Sequence, residues 1–241
     1  MTMREVAARA GVSIKTVSNV VNHYQFVSDA TRDKVEDAIH DLGYVVNASA
    51  RTLRTGHTGI IALVIPDLQI PYFAQLSSLV IEEGKRLSLH VIVEPTLYSR
   101  EGEIQALHGS QISMLDGIIF RPLELSGDDV DQLDIDVPLV LIGERIFTDN
   151  VDHIATENVE GAKRATTYLF QTGCRRIAVL GVHPGEDVGS AALRFRGYRE
   201  ALEEMGLAFD PKLVAPADRW HRIDGVNAMD LLLDQGVEMD G

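Results

Sequence analysis

The chain has 241 residues, 45% of them hydrophobic and 24% charged, which is the balance of an ordinary globular protein and excludes a fibrous or disordered one. Its longest apolar run, residues 59–66, is strand length, far short of the roughly 20 residues of a membrane helix. Charges at Arg4, Glu5 and Arg9 break up the segment where a secretory leader would be apolar, so the cytoplasm is the expected compartment and no membrane partner is expected.

A single cysteine, Cys174, excludes an internal disulfide framework and a cysteine-cluster metal site. The formal net charge of −14, taken whole, argues against nucleic acid. The charge is unevenly spread, however. Residues 1–56 hold seven basic groups (Arg4, Arg9, Lys15, Arg32, Lys34, Arg51, Arg54) against six acidic ones, net +1, which leaves −15 for the rest. A near-neutral head on a strongly acidic body is the pattern of two modules with different partners.

Thr2 stands three residues before Glu5, ahead of Val6, Ala7 and Ala10, which predicts a capping box and a helix over residues 3–10. Gly11 suits the turn that follows, because left-handed backbone is cheap only for glycine. Ser13 is a good N-cap for a second helix, with Val17, Val20 and Val21 on one face. Its other face shows Ile14, Lys15, Ser18, Asn19 and Asn22. A third helix begins at Ser28, with Val27 as a hydrophobic staple, presents Val35, Ala38, Ile39 and Leu42, and ends at Gly43. Two short helices joined by a tight turn, the second polar and slightly basic outside, fit a helix-turn-helix DNA reader. A small protein-binding three-helix domain fits the same pattern.

Beyond residue 59 the text alternates between strands and helices. Short Val- and Ile-rich strands are expected at 60–65, 90–94, 117–120, 139–142, 153–156 and 177–180. Helices are expected at 72–87, 100–114, 158–171, 193–205 and 223–233. Such alternation predicts parallel sheets with helices on both faces. None of G-x-G-x-x-G, G-x-x-x-x-G-K-[ST], G-x-S-x-G or H-E-x-x-H occurs, so neither an enzyme nor a cofactor or metal is expected.

The run VAARAGVSIKTVSNVVN, with VSDATRDKVEDAIHDLGYVVNASARTLRTG after it, resembles the lac/galactose repressor (LacI/GalR) family. The resemblance continues through IIALVIPDLQIPYF, VDHIATENVEGAKRATTYLFQTGCRRIAVLG and LRFRGYREAL, which are similar to that family's effector domain. It implies an all-α helix-turn-helix head followed by an α/β periplasmic-binding-protein-like effector domain, with parallel sheets in two lobes around a ligand cleft. The domains are expected at 1–45 (DNA-binding), 46–56 (hinge) and 57–241 (effector and dimerisation; 57–157 first lobe, 158–241 part of the second). The text ends in MDLLLDQGVEMDG, where another strand would start, so the second lobe is expected to be incomplete and the chain truncated.

The same resemblance implies roles. Ile14, Lys15 and Asn19 stand at base-reading positions: lysine can donate to guanine, asparagine can pair with adenine, and isoleucine can touch a thymine methyl. Ser13, Thr16, Ser18 and Asn22 stand at phosphate-anchoring positions, with helix capping an equal role for Ser13. In the hinge, which in the family becomes helical only on DNA, Asn47 matches a hinge asparagine and Ala50 a small residue needed for close approach. Leu53 matches a leucine that wedges into the minor groove. Val46 replaces the family's usual proline, which would pre-set helix entry. A plain linker is the other reading of this stretch.

In the body, Asp67, Tyr72 and Phe73 follow the first strand and offer a carboxylate for sugar hydroxyls and aromatic faces for C–H groups; Phe73 equally fits the next helix's core. Arg194 matches the arginine of an R-x-x-G-[aromatic] motif, with Arg196 as the shifted alternative. Trp220 matches an aromatic at the cleft or a core position, and Glu144 and Arg121 are weaker candidates at strand ends. The implied function is a sequence-specific transcriptional regulator, a repressor, that binds a palindromic double-stranded DNA operator as a homodimer under the control of a sugar or sugar-phosphate effector.

Overall fold

The computed structural model describes residues 1–22, 24–44, 56–217 and 219–241. The hinge candidates Asn47, Ala50 and Leu53 lie outside the described residues. The chain divides into two compact units, Met1–Thr58 and Gly59–Gly241.

The head unit holds α1 (Met3–Ala10), α2 (Ile14–Val21) and α3 (Asp29–Leu42). The capping box of α1 is formed in both directions: Thr2 Oγ1 accepts from the Glu5 amide and the Glu5 carboxylate accepts from the Thr2 amide. Gly11 sits at φ 66°, ψ 34°, and ends α1 in the left-handed region. Ser13 Oγ accepts from the Thr16 amide at 3.0 Å and starts α2. The expected cap at Ser28 is a backbone one only: its carbonyl accepts from the Thr31 and Arg32 amides, and its hydroxyl lies 2.8 Å from Thr31 Oγ1. Val6, Val17, Val20, Val35, Ala38 and Tyr44 close one small core from all three helices, with Val27 packed at its edge.

The body unit opens with β1 (Ile60–Ile65), α4 (Pro71–Arg86), β2 (His90–Pro95), α5 (Arg100–His108), β3 (Gly117–Phe120), β4 (Leu139–Ile142) and β5 (Asp152–Ile154). These strands form one parallel sheet in the order β2-β1-β3-β4-β5, with Leu63 of β1 opposite Val93 and Ile119. Ala62 and Val64 pack into a cluster with Ile118, Phe120 and Leu141, while Leu63 and Ile65 pack with Ile70 and Phe73. Both faces of β1 are therefore covered, which is why it reads as a continuous apolar run rather than an alternating one.

The chain continues through α6 (Asn158–Gln171), β6 (Val179–Val182), α7 (Ser190–Glu204), β7 (Val214–Pro216) and α8 (Arg222–Asp234). Strands β6 and β7 make a second parallel sheet. Ile177, Tyr198 and Leu202 fill one cluster here, and Ala215, Ala228 and Leu232 another.

Several expected bounds move, each for a local reason. The strand expected at 153–156 stops at Ile154, because the Thr156 amide and hydroxyl turn to the Glu144 carboxylate. The strand expected at 177–180 starts at Val179, where pairing with Val214 begins; before it, the Ala178 amide donates to the Gly241 carbonyl. The helix expected over 100–114 breaks at Gly109, whose backbone turns extended (φ −67°, ψ 163°) before a short 3-10 turn at Ile112–Met114. Strand β7 and the 3-10 segment Gly127–Leu133 were not expected; both are short and carry little periodicity.

Candidate DNA-reading face and ligand cleft

On the head, Val17 and Val20 point α2 into the core, which turns the opposite face outward. That face carries Ile14, Lys15 and Asn22 exposed and Thr16, Ser18 and Asn19 half-buried. Ser13 is used twice, by the Thr16 amide and by Thr16 Oγ1 at 2.9 Å. Asn22 donates to the carbonyl and hydroxyl of Ser18 one turn back. Ile14 is 46% exposed on this polar surface, where burial gives it no reason to be apolar.

In the body, the side chains that follow the carboxyl ends of the strands converge, the usual place for a ligand in such sheets. Asp67 follows β1, Tyr98 follows β2, Arg121 follows β3, and Glu144 and Arg145 follow β4. His183 follows β6, and Arg219 and Trp220 come in the segment after β7. Glu144 is the hub. Its Oε1 accepts from the Thr156 amide, Thr156 Oγ1 and Asn158 Nδ2, the last at 2.7 Å, and its Oε2 accepts from Ser190 Oγ at 2.7 Å. Burial works to raise the Glu144 pKa, but the hydrogen bonds from Ser190 and Thr156 and the Arg121 charge outweigh it and hold the carboxyl below its ordinary value.

Arg121 is buried beside Glu144 at 3.8 Å and donates to the Pro122 carbonyl and Ser190 Oγ. A Cβ at Gly143 would lie 2.2 Å from the Arg121 guanidinium, so glycine there makes room for the arginine. Arg194 Nε donates to Asn158 Oδ1 at 2.7 Å, and its guanidinium lies 4.7 Å over the Trp220 ring. Trp220 Nε1 in turn donates to the Gly181 carbonyl at 3.1 Å. The chain Arg194–Asn158–Glu144–Ser190 thus joins α7 and α6 to the end of β4.

The R-x-x-G-[aromatic] motif has a packing reason. A Cβ at Gly197 would lie 2.1 Å from the Val159 carbonyl oxygen, so glycine lets α7 close on α6. Tyr198 is buried and donates to the Ile177 carbonyl at 2.8 Å. Arg194, one turn earlier, falls beside Asn158 at the start of α6. Arg196 instead points to solvent and pairs with Glu200 at 3.5 Å.

A cavity of about 60 Å³ is lined by Ile70, Phe73, Tyr98, Arg121 and Trp220, among others. It shares Tyr98, Leu123, Arg145, His183, Glu186 and Arg219 with a wider groove of about 570 Å³. Arg194 and Trp220 also face a neighbouring hollow of about 300 Å³ along β6. Of the expected aromatic pair, Phe73 serves both the core cluster and the cavity wall, whereas Tyr72 is 51% exposed and lines none of these spaces. Asp67 is buried and accepts from the Gln69 amide and from His221 Nε2 at 2.7 Å; burial opposes its ionisation, and these bonds outweigh it and lower its pKa. Tyr98 is held at φ 59°, with Leu97 at 55°, a left-handed pair that is costly without glycine. Burial and the Asp67 charge push the Tyr98 hydroxyl up to about 12.

Asn158, Ser190, Arg145, Glu186, His183, Tyr98 and His221 escaped the sequence reading. Tyr98, Arg145 and His183 lie just past strand ends, and that position alone could have marked them. Among the described residues no cluster suited to a metal ion occurs, and no helix is long and apolar enough to cross a membrane.

A three-helix reader with an exposed second helix, carried with a two-sheet domain whose strand ends converge on a cleft, defines a DNA-binding regulator with an effector domain. Comparison with known proteins agrees. The family model for bacterial regulatory proteins of the lacI family matches residues 2–47, and that for periplasmic binding proteins and the sugar binding domain of the LacI family matches residues 58–240.

The chain is similar to the ribose operon repressor of Halalkalibacterium halodurans, 32% identical over all of this chain and 70% of that protein. It is 35% identical to the transcriptional regulator CelR of Thermobifida fusca over 99% of this chain and 72% of that one. A solved complex of CelR with cellobiose superposes with a TM-score of 0.62 at 31% identity, over 98% of this chain and 71% of that one. A lac repressor dimer bound to operator gives 0.79 at 24% identity, over 98% of this chain and 71% of that one. The chain belongs to the LacI family and is a DNA-binding transcriptional regulator.

Proposed function

We propose that the chain is a repressor that binds a palindromic operator as a homodimer and is released or engaged by a small carbohydrate effector. Ile14, Lys15 and Asn19 of α2 read base edges in the major groove, and Ser13, Thr16, Ser18 and Asn22 fix the register on phosphates. Residues 46–56 serve as the hinge, with Asn47 and Ala50 entering the minor groove and Leu53 wedging a base step. Residues 1–45 form the reading domain and 57–241 the effector and dimerisation domain. The observation that carries this reading is the outward face of α2: polar, slightly basic, and with an exposed isoleucine that folding does not require.

The cleft at the strand ends takes the effector, with Arg194, Trp220 and Phe73 against it and Glu144 and Asp67 shaping it from beneath. The relatives named above include a ribose operon repressor and a regulator solved with cellobiose, which supports a carbohydrate. Tyr72 and Leu79 on α4 and Ile92 on the edge strand β2 are exposed apolar side chains that suit a dimer surface. The protein acts in the cytoplasm, without catalysing a reaction and without a cofactor.

Selection from random duplex DNA tests the reading, using the whole chain beside a chain lacking residues 1–56. A two-fold symmetric site should be recovered by the whole chain only. Recovery of equal sites by both chains would refute the assignment of reading to the head.

A further inference from the structure

The cleft's acceptors and donors are unequally used. The carboxylates are already satisfied by the protein: Glu144 accepts four hydrogen bonds, and Asp67 takes the Gln69 amide and His221. Glu186 takes His183 Nδ1 at 2.6 Å and Arg145. The unpartnered groups include a guanidinium donor. Arg145 Nε and His183 Nε2 are buried with no hydrogen-bond partner, and the buried Tyr98 hydroxyl beside them faces the Asp67 carboxylate. All three residues line the neck where the narrow cavity meets the wider groove. Arg219 lines the same neck, lies 4.3 Å over the Tyr98 ring, and forms no ion pair among the described residues.

An unpaired buried donor is costly, so its persistence at a cleft mouth implies that something else supplies the acceptor. The Arg145 Nε–H and the Arg219 fork meet at the neck, with the unpartnered His183 Nε2 beside them. Two guanidinium groups at one neck, with the nearby Glu186 oxygens already taken by His183 Nδ1 and Arg145, fit a group that is all acceptor. The narrow cavity has room for about two waters by liquid volume, too little for a sugar ring. The wider groove can hold a ring, and its exposed Glu124 and Asp187 can take ring hydroxyls.

We propose that the effector carries an oxyanion, a phosphoryl or carboxylate group on a sugar-sized body, and that this group seats at the neck on Arg145 and Arg219. The proposal rests on the reading of the cleft as the effector site and narrows it. These two arginines then set specificity for charged over neutral sugars, while Arg194 and Trp220 meet the rest of the molecule.

Calorimetric titration of the whole chain with glucose 6-phosphate, glucuronate, glucose and cellobiose tests it, with inorganic phosphate as competitor. At least one charged sugar should bind tenfold or more tighter than glucose, weaken as salt rises, and be displaced by phosphate. Preference between glucose 6-phosphate and glucuronate tells the phosphoryl group from the carboxylate. Arg219→Gln, at an exposed position that folding spares, should remove most of that tenfold margin, and Arg145→Lys, which keeps a partner for Glu186, should do the same. Equal affinity for glucose or cellobiose would overturn the oxyanion while leaving the cleft reading intact. Charged-sugar binding that ignores both substitutions but is lost in Arg194→Ala would put the anion elsewhere and overturn it too. No binding of any of the four sugars, with operator binding retained, overturns the proposal and the cleft reading together.

Discussion

Glu144 and Gly197 show at single positions how the cleft is held. The Glu144 carboxyl is kept below its ordinary value in the folded chain, so it contributes stability that is present above the unfolded value near 4.5 and is lost as pH falls through the lower, folded one. Melting temperature of the body measured against pH should therefore fall on the acid side of 4.5, and Glu144→Gln should flatten that fall while lowering the plateau at neutral pH. An unchanged acid limb in the variant would mean that other carboxylates govern it. Gly197→Ala places a methyl on the Val159 carbonyl, a backbone atom that cannot rotate away. Overpacking of that kind costs about 1–3 kcal/mol and should push α7 off α6, weakening effector binding as well. Arg194→Ala, on an exposed side chain, should spare the melting temperature and remove effector response alone. If Arg194→Ala unfolds the body instead, its bond to Asn158 is structural.

At the scale of the element, α2 separates folding from reading within eight residues. Val17 is wholly buried, so Val17→Ala should destabilise the head by about 2 kcal/mol from lost methyl burial plus the cavity left. Ile14→Ala should leave the head's melting temperature unchanged and reduce operator affinity. Circular dichroism melting and DNA titration of the two variants check the pair; equal destabilisation would sink the division of faces. Such faces were legible in the sequence because they rest on spacing within a helix. The caps at Thr2 and Ser13 and the glycine turn at Gly11 are legible for the same reason. So was β1, whose apolar run reflects two covered faces. Other strand limits were not, since β5 ends where Thr156 finds a carboxylate twelve residues back. The cleft was legible only in part. Arg194 and Trp220 stood out by motif and rarity, but Ser190 meets Glu144 across 46 positions and His221 meets Asp67 across 154. Only sheet topology brings such pairs together, and no local pattern announces them.

For the whole molecule, the two units have separate cores. The head's cluster is built from residues of the head alone, and every body cluster from residues of the body. A ligand that binds one folded unit stabilises that unit by mass action, about 2.7 kcal/mol at a hundred times its dissociation constant. Scanning calorimetry should therefore show two transitions, with the effector raising the body's by about 5–10 °C and leaving the head's in place. Duplex operator should move the head's transition, and increasingly so as salt falls, because basic side chains within residues 1–56 add charge-assisted phosphate contacts. Regulation needs one thing more: operator must change the effector's affinity by the same factor that effector changes the operator's. Titrating the effector with and without saturating operator measures that factor directly. A ratio of one would mean that head and body bind independently in this chain, and that the effector exerts no control over its DNA binding.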